Sequence, residues 1–343
     1  MNYWKIAALL AVLGVVSYYG ESVKKIWTLT EPDEYDMVKK YLLNDSPLYG
    51  FNKPKLWIHT KYDINARKWR DFYSRNSTDL NQPYIHLTIK SIIHHCGDDF
   101  HICLIDDESF SKLIPTWDIE LSTIAEPLRT QYRQLALAQI IYFYGGLLVP
   151  NSFLCKRNLK EMYDVGLEDN KPFVCEAINR SSNMAIKGAK APFLPDTYFM
   201  GAKKNDIVIK EYIDYLKSRS ANGHFTAAYE FLGDTAIGCA GTIQTGRMNL
   251  IGGEYVGIKT NKKKPVLLED LLEDNYLDLN ENMYGIYIPE DELLIRPKFS
   301  WFAVLTTEQL LETNTFLTKH FKASMLDTLS FYKRVEKDSP VVI

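Results

Sequence analysis

The stretch Ile140–Cys155, IIYFYGGLLVPNSFLC, decides how the chain reads. An apolar helical pattern runs into Tyr144-Gly145-Gly146. A short apolar run follows, and Pro150-Asn151-Ser152 ends it. Glycine directly after the last periodic residue stops a helix, because it takes a positive φ with no Cβ in the way. The stretch therefore predicts a helix, a tight turn and a buried strand. Reading backward, EPLRTQYRQLALAQ places Pro127 near the helix start. Leu135, Ala138, Ile141 and Tyr142 then share one face.

Further upstream, KLWIH and FHICLIDD are short apolar runs bounded by polar loops, the pattern of buried strands. QPYIHLTIKSIIHHCG between them has apolar residues at helical spacing and ends at Gly97. ESFSKLIPTW is a short helix cut by Pro115. Strand, helix, strand, helix, strand describes an α/β unit with a parallel sheet. Ligands of such sheets sit beyond the carboxyl ends of the strands. His59, Asp106, Asp107 and the Pro150–Ser152 segment all occupy those ends.

Downstream, PFVCEAI reads as a strand. TYFMGAKKNDIVIKEYIDYLKSR reads as a strand, a turn and an amphipathic helix carrying Ile207, Ile209, Tyr212, Ile213 and Leu216. GDTAIGCAGTI is glycine-rich and reads as a loop. It is no phosphate-binding P-loop, since no Gly-Lys-Ser/Thr follows. MYGIYIP and KFSWFAVLT read as late strands or loops.

Net charge is −3 from 40 basic and 43 acidic residues, which gives no general attraction to nucleic acid. Hydrophobic residues make up 46% of the 343, enough for a real core and too many for disorder. The five cysteines form no Cys-x-x-Cys pair and no framework pattern, which favours a reducing environment. His94, His95, Cys96 and His101 cluster in sequence, but adjacent residues point apart and zinc-ligand spacings are missing.

The N-terminus, MNYWKIAALLAVLGVVSYYG, is uncharged and mostly apolar from Ile6 to Gly20. As a helix this core spans roughly 22 Å, which Tyr3, Trp4 and a snorkelling Lys5 extend toward the ~30 Å of a bilayer's hydrocarbon. Residues 1–20 are read as a single-pass membrane anchor, with a cleaved signal peptide as the alternative. Residues 21–53 form a stem and 54–343 the main domain. Sidedness stays open, and the sequons at Asn76 and Asn179 matter only if the domain faces a lumen.

From Pro54 to Tyr212 the ordered pieces resemble the glycosyltransferases of the sugar-binding DXD class, which include initiating mannosyltransferases and capsular-polysaccharide enzymes. KPKLWIHTKYD resembles that family's opening strand and ICLIDDESF its second strand and acidic turn. YRQLALAQIIYFYGG resembles the helix that typically reads SDLLRYxILYxYGG. A looser echo lies at Lys298–Trp301. The resemblance implies a GT-A-like nucleotide-sugar-binding α/β fold behind the N-terminal transmembrane helix. It also implies a nucleotide-sugar donor and a glycan acceptor as partners. Arg133-Gln134 stand where the family has Ser-Asp, and Leu137 where it has the helix arginine. Pro150 and Ser152 stand where it has the two metal-binding aspartates.

Those aspartates hold a divalent ion that bridges the donor diphosphate. Proline has no side-chain oxygen and serine is a weak neutral ligand. No metal site is therefore expected, and no cofactor, with Mn²⁺ or Mg²⁺ admitted only if the substitution is compensated. Basic side chains would then neutralise the diphosphate. Arg129 and Arg133 share one helix face and are the expected pair. Asp106, Asp107 and Asp234 are the candidate catalytic carboxylates. His59, Gln134, Gly145, Gly146, Asn151, Ser152 and Trp301 complete the expected substrate-binding set. The reading is a glycosyltransferase-like protein, metal-independent if active; the alternative is a catalytically inactive glycan-binding or scaffold protein on the same fold.

Overall fold

The computed structural model describes residues 53–60, 82–178 and 193–324. The expected anchor, nearly all of the stem and both sequons lie outside the described residues. Among the described residues, no helix is long and apolar enough to cross a membrane.

The first unit follows the predicted order: β1 (Lys55–His59), α1 (Tyr84–Cys96), β2 (His101–Ile105), α2 (Ser109–Leu113), α3 (Leu128–Tyr144) and β3 (Gly146–Pro150). Then come β4 (Phe153–Cys155), α4 (Lys160–Gly166), β5 (Phe173–Ile178), β6 (Phe193–Ala202), α5 (Ile207–Asn222), α6 (Ala228–Gln244) and β7 (Asn249–Ile251). The chain continues through α7 (Leu268–Leu271), β8 (Gly285–Tyr287), α8 (Glu290–Ile295), α9 (Ser300–Ala303) and α10 (Thr307–Glu312). A further helix runs through residues 316–324.

The main sheet has strand order β2-β1-β3-β6-β5-β7, and β4 pairs with β8 in a small second sheet. β1 lies parallel to both β2 and β3, with His59 opposite Ile105 on one side and Pro150 on the other. The sheet is not wholly parallel, as the first unit alone suggested: β6 is antiparallel to both β3 and β5. Apolar runs reveal that a strand exists and say nothing of its direction, which the connections set.

Alternation along the strands covers both faces. Trp57, Cys103, Ile105 and Leu148 join a core with α2, α3, α5 and α6. Leu56, Ile58, Leu147 and Val149, which alternate with them, are equally buried on the opposite face. α5 starts where the Asp206 side chain accepts from the amides of Val208 and Ile209. Its buried stripe holds Ile209, Tyr212, Ile213 and Leu216 as expected. Ile207, expected on that stripe, is 61% exposed, and Val208 packs instead.

Two segments differ from the sequence reading. GDTAIGCAGTI is no loop; it lies inside α6. Phe231, Thr235, Ala236 and Cys239 recur at helical spacing and are buried. At least one of its glycines serves close packing: a Cβ on Gly238 would sit 2.6 Å from the Tyr215 ring. KFSWFAVLT is likewise helical, a 3-10 turn at Pro297–Phe299 leading into α9. Phe302 packs there against Tyr84, ring centroids 5.4 Å apart.

The α3–β3 reversal is the tightest point of the unit. Gly145 and Gly146 have φ of 67° and 107°. A Cβ on Gly146 would overlap the Lys55 carbonyl, and one on Gly145 would sit 2.7 Å from the Lys204 amide. Gly146→Ala is expected to lower stability by roughly 2–4 kcal/mol, from a backbone clash added to a disfavoured φ. Chemical denaturation of the variant and the natural chain measures this.

Candidate functional site

The carboxyl edge of the three parallel strands brings several of the expected residues together. His59, Ile105 and Pro150 form the last rung. Past Ile105 the chain turns, and Asp106 fixes the turn by accepting from the Ser109 amide (2.9 Å) and hydroxyl (2.6 Å). Asp106 thus anchors the turn that leads into α2. Asp107 swings back over the sheet: its Oδ1 lies 2.9 Å from His59 Nε2. Arg133 reaches in from α3 and donates twice to the same carboxylate, Nε to Oδ1 (2.9 Å) and Nη2 to Oδ2 (2.6 Å). The His59 ring stacks on Phe110 with centroids 5.4 Å apart and 9° between planes.

This cluster is partly sealed. The side chains of Arg133 and His59 are 5% and 6% exposed and that of Asp107 is 27%. Burial raises the Asp107 pKa, but the hydrogen bonds from Arg133 and His59 outweigh it and hold the carboxyl well below the usual carboxylate range. At neutral pH the Asp107 carboxylate is therefore ionised, and Arg133 is matched by it.

The other expected residues have different surroundings. Arg129 donates from Nε to the Ile124 carbonyl at 2.7 Å, so it braces the loop before α3. Gln134 is buried, its carboxamide nitrogen within 2.5, 2.7 and 3.2 Å of the hydroxyls of Thr197, Tyr212 and Thr235. It joins α3 to β6, α5 and α6. Asp234 is clamped by Arg219 at 2.6 and 2.7 Å, with Tyr215 at 3.1 Å, on the α5–α6 surface. Trp301 is 40% exposed on α9. Gly145 and Gly146 lie at the amino end of β3, away from the last rung.

Asn151 and Ser152 form the hinge between the two sheets. The Asn151 carbonyl accepts from Thr88 of α1 at 2.5 Å, and the Ser152 carbonyl accepts from the Ile288 amide at 3.2 Å. The Ser152 hydroxyl is sealed and has no hydrogen-bond partner. Asp196, which sequence reasoning missed, is buried on β6 and accepts from the Tyr198 amide at 2.8 Å. Extending the antiparallel pairing of Leu148 with Met200 brings it level with the hinge. Its only signal was a carboxylate entering a strand in PDTYFMGA.

These groups do not fit a divalent cation, which takes about six oxygen ligands. The Pro150 side chain offers none, the Ser152 hydroxyl is enclosed, and the Asp107 oxygens are held by Arg133 and His59. Among the described residues, no three His, Cys, Asp or Glu are grouped to hold a metal. The His94–His95 pair makes an edge-on ring contact at 4.9 Å instead.

An open cleft of about 530 Å³, lined by Lys156, Tyr276, Asn280, Lys319 and His320 among others, lies away from this edge. Lys156 follows Cys155, which touches Cys96 at the far end of α1, and Asn158 bonds Asp99 just before β2. The cleft therefore belongs to the amino edge of the strands.

No family model and no curated protein matches the chain. Among solved structures, it is similar to a galactosyltransferase, LgtC, in complex with donor and acceptor sugar analogs. That match has 12% identity and a TM-score of 0.32, covering 59% of this chain and 74% of the other. An active-site mutant of LgtC gives 12% and 0.31 over the same shares. The likeness is a distant one.

Two outcomes test the cluster. Arg133→Leu strands a half-buried carboxylate and is expected to cost roughly 2–3 kcal/mol at neutral pH. The Asp107 pKa is depressed in the folded chain, so its contribution is complete above the unfolded carboxylate value near 3.9 and fades as pH falls toward the folded one. Loss of stability on acidification below about pH 4 should accordingly be shallower in the variant, as read from denaturation at a series of pH values. Gln134→Leu leaves three buried hydroxyls short of a partner; its expected cost in the same assay is about 1–3 kcal/mol.

Proposed function

We propose that this chain is a glycosyltransferase-like protein that binds a nucleotide sugar at the carboxyl ends of β1, β2 and β3, without a carboxylate-held metal. The observation that carries this is the convergence of His59, Asp107 and Arg133 on the last rung of three parallel strands. That rung is where an open α/β sheet presents its ligand. The sequence resemblance supports the same reading.

In sugar transfer the leaving diphosphate gains negative charge, and a metal-free site must answer it with positive side chains. Among the described residues, Arg133 brings positive charge to the rung, and His59 adds to it when protonated. Asp107, ionised and 27% exposed, is the carboxylate placed to take a proton from an acceptor hydroxyl. The same carboxylate neutralises Arg133 in the resting chain. Donor binding therefore has to draw Arg133 partly away from Asp107.

A second reading rests on that last point. With Arg133 matched by Asp107 and the hinge carboxylates replaced, the same frame would serve as a catalytically inactive glycan-binding or scaffold protein. The proposed anchor at residues 1–20 would hold either form at a membrane.

Thermal-shift measurements with UDP-, GDP- and CMP-sugars, with Mn²⁺ or with a chelator, separate the readings. The transferase reading expects a Tm rise with at least one donor that the chelator does not abolish. No shift with any donor, together with a shift on adding free glycans, selects the inactive protein. A rise that requires Mn²⁺ overturns the metal-free site. Asp107→Asn frees Arg133 and should tighten donor binding several-fold while abolishing transfer. Weakened donor binding in that variant would remove Arg133 from the diphosphate site.

A further inference from the structure

All five cysteines are buried and free. Two of them are neighbours: Cys96 Sγ and Cys155 Sγ lie 3.9 Å apart, 59 residues apart in sequence. Both side chains are fully buried. Cys96 ends α1, and Cys155 ends β4. Their backbones are already fixed beside one another: the Ser91 hydroxyl of α1 accepts from the Cys155 amide at 2.9 Å, and the Ser324 hydroxyl donates to the Cys155 carbonyl at 3.3 Å. The other three thiols have different neighbours. Cys103 donates to the His101 carbonyl and Cys239 to Met248 Sδ. Cys175 lies on β5 within the main sheet.

We propose that Cys96 and Cys155 are a cross-linking site that closes to a disulfide when the chain folds in the presence of a small-molecule disulfide. The reaction balances as two thiols plus one oxidised glutathione giving one protein disulfide and two reduced glutathiones. A Cys96 or Cys155 thiolate attacks the glutathione disulfide and releases one glutathione. The second protein thiolate then attacks the mixed disulfide and releases the other. Closing the sulfurs from 3.9 Å to the ~2.05 Å of a disulfide is a short approach, because the Ser91 hydroxyl of α1 already holds the Cys155 amide beside the end of that helix.

The timing follows from burial. Burial, reinforced by the contact with Cys96, pushes the Cys155 thiol well above its ordinary pKa. The folded Cys155 thiol is thus held protonated, and both thiols, fully buried, are closed to a bulky oxidant. The bond forms during folding, while both thiols are still accessible, and resists later reduction. Its effect is to tie α1 to the small sheet across a long loop.

The test is refolding of the whole chain in a glutathione redox buffer, followed by denaturation, alkylation of free thiols and peptide mapping with and without reductant. The expected result is one linked peptide pair, Cys96 to Cys155, with Cys103, Cys175 and Cys239 alkylated. Tm should rise by roughly 5–10 °C over the reduced chain. Cys103→Ser should keep the link and the rise, and Cys155→Ser should lose both. Alkylation of all five cysteines, or linkage of any other pair, overturns the proposal. Should Cys155→Ser fail to fold, the peptide map of the natural chain decides alone. Folded, reduced protein exposed to the same buffer should stay unlinked, and rapid linkage there would refute the timing.

Discussion

The structure depends on the close approach of Gly146 to β1. Its φ of 107° lets the chain leave α3 and lie directly against the Lys55 carbonyl, where any side chain would collide. Trp57, one strand over, seals the reversal by donating its indole N–H to the Gly145 carbonyl at 2.9 Å. A buried indole requires such an acceptor. Together they fix the register of β3 on β1, with Leu56 opposite Leu147. A shift of one residue would turn every β3 side chain to the opposite face. The rung formed by His59, Ile105 and Pro150 is a consequence of that register.

Once the rung is set, the chemistry at it is governed by one carboxylate. Asp107 draws both Arg133 and His59 inward, and its charge makes their burial tolerable. A site that faces a ligand keeps its charges unpaired and pre-oriented. Here the positive charge is answered from within. Gln134 carries the same theme one residue further along α3. Its neutral amide ties three hydroxyls, those of Thr197, Tyr212 and Thr235, together inside the core. Any nucleotide sugar bound at this edge must compete with Asp107 for Arg133.

The sequence made the first unit legible because its signals were local. Apolar periodicity marks α1 and α3, the double glycine marks the reversal from α3 into β3, and acidic or polar residues after each apolar run mark the strand ends. Arg129 and Arg133 were correctly read as one helical spacing apart, but spacing does not reveal surroundings. One braces a loop carbonyl, and the other meets a carboxylate 26 residues away. α6 reads as a loop in sequence because glycine ordinarily disfavours a helix interior. Its glycine at 238 is there to admit the Tyr215 ring, a requirement set by a different helix. Asp196 was missed because nothing in a single strand says which edge of the sheet its ends will reach. Pairings across long separations are the part of the fold that local pattern does not encode.

The two edges of the sheet are linked by α1. Near its first turn Thr88 holds the Asn151 carbonyl, one turn later Ser91 holds the Cys155 amide, and at its end Cys96 meets Cys155. The segment from Asn151 to Cys155 is thus secured along its length against a single helix. The hinge is held through its main-chain carbonyls, those of Asn151 and Ser152, which a residue of any side chain supplies. The frame constrains backbone positions at this edge and leaves the side-chain chemistry there free to change.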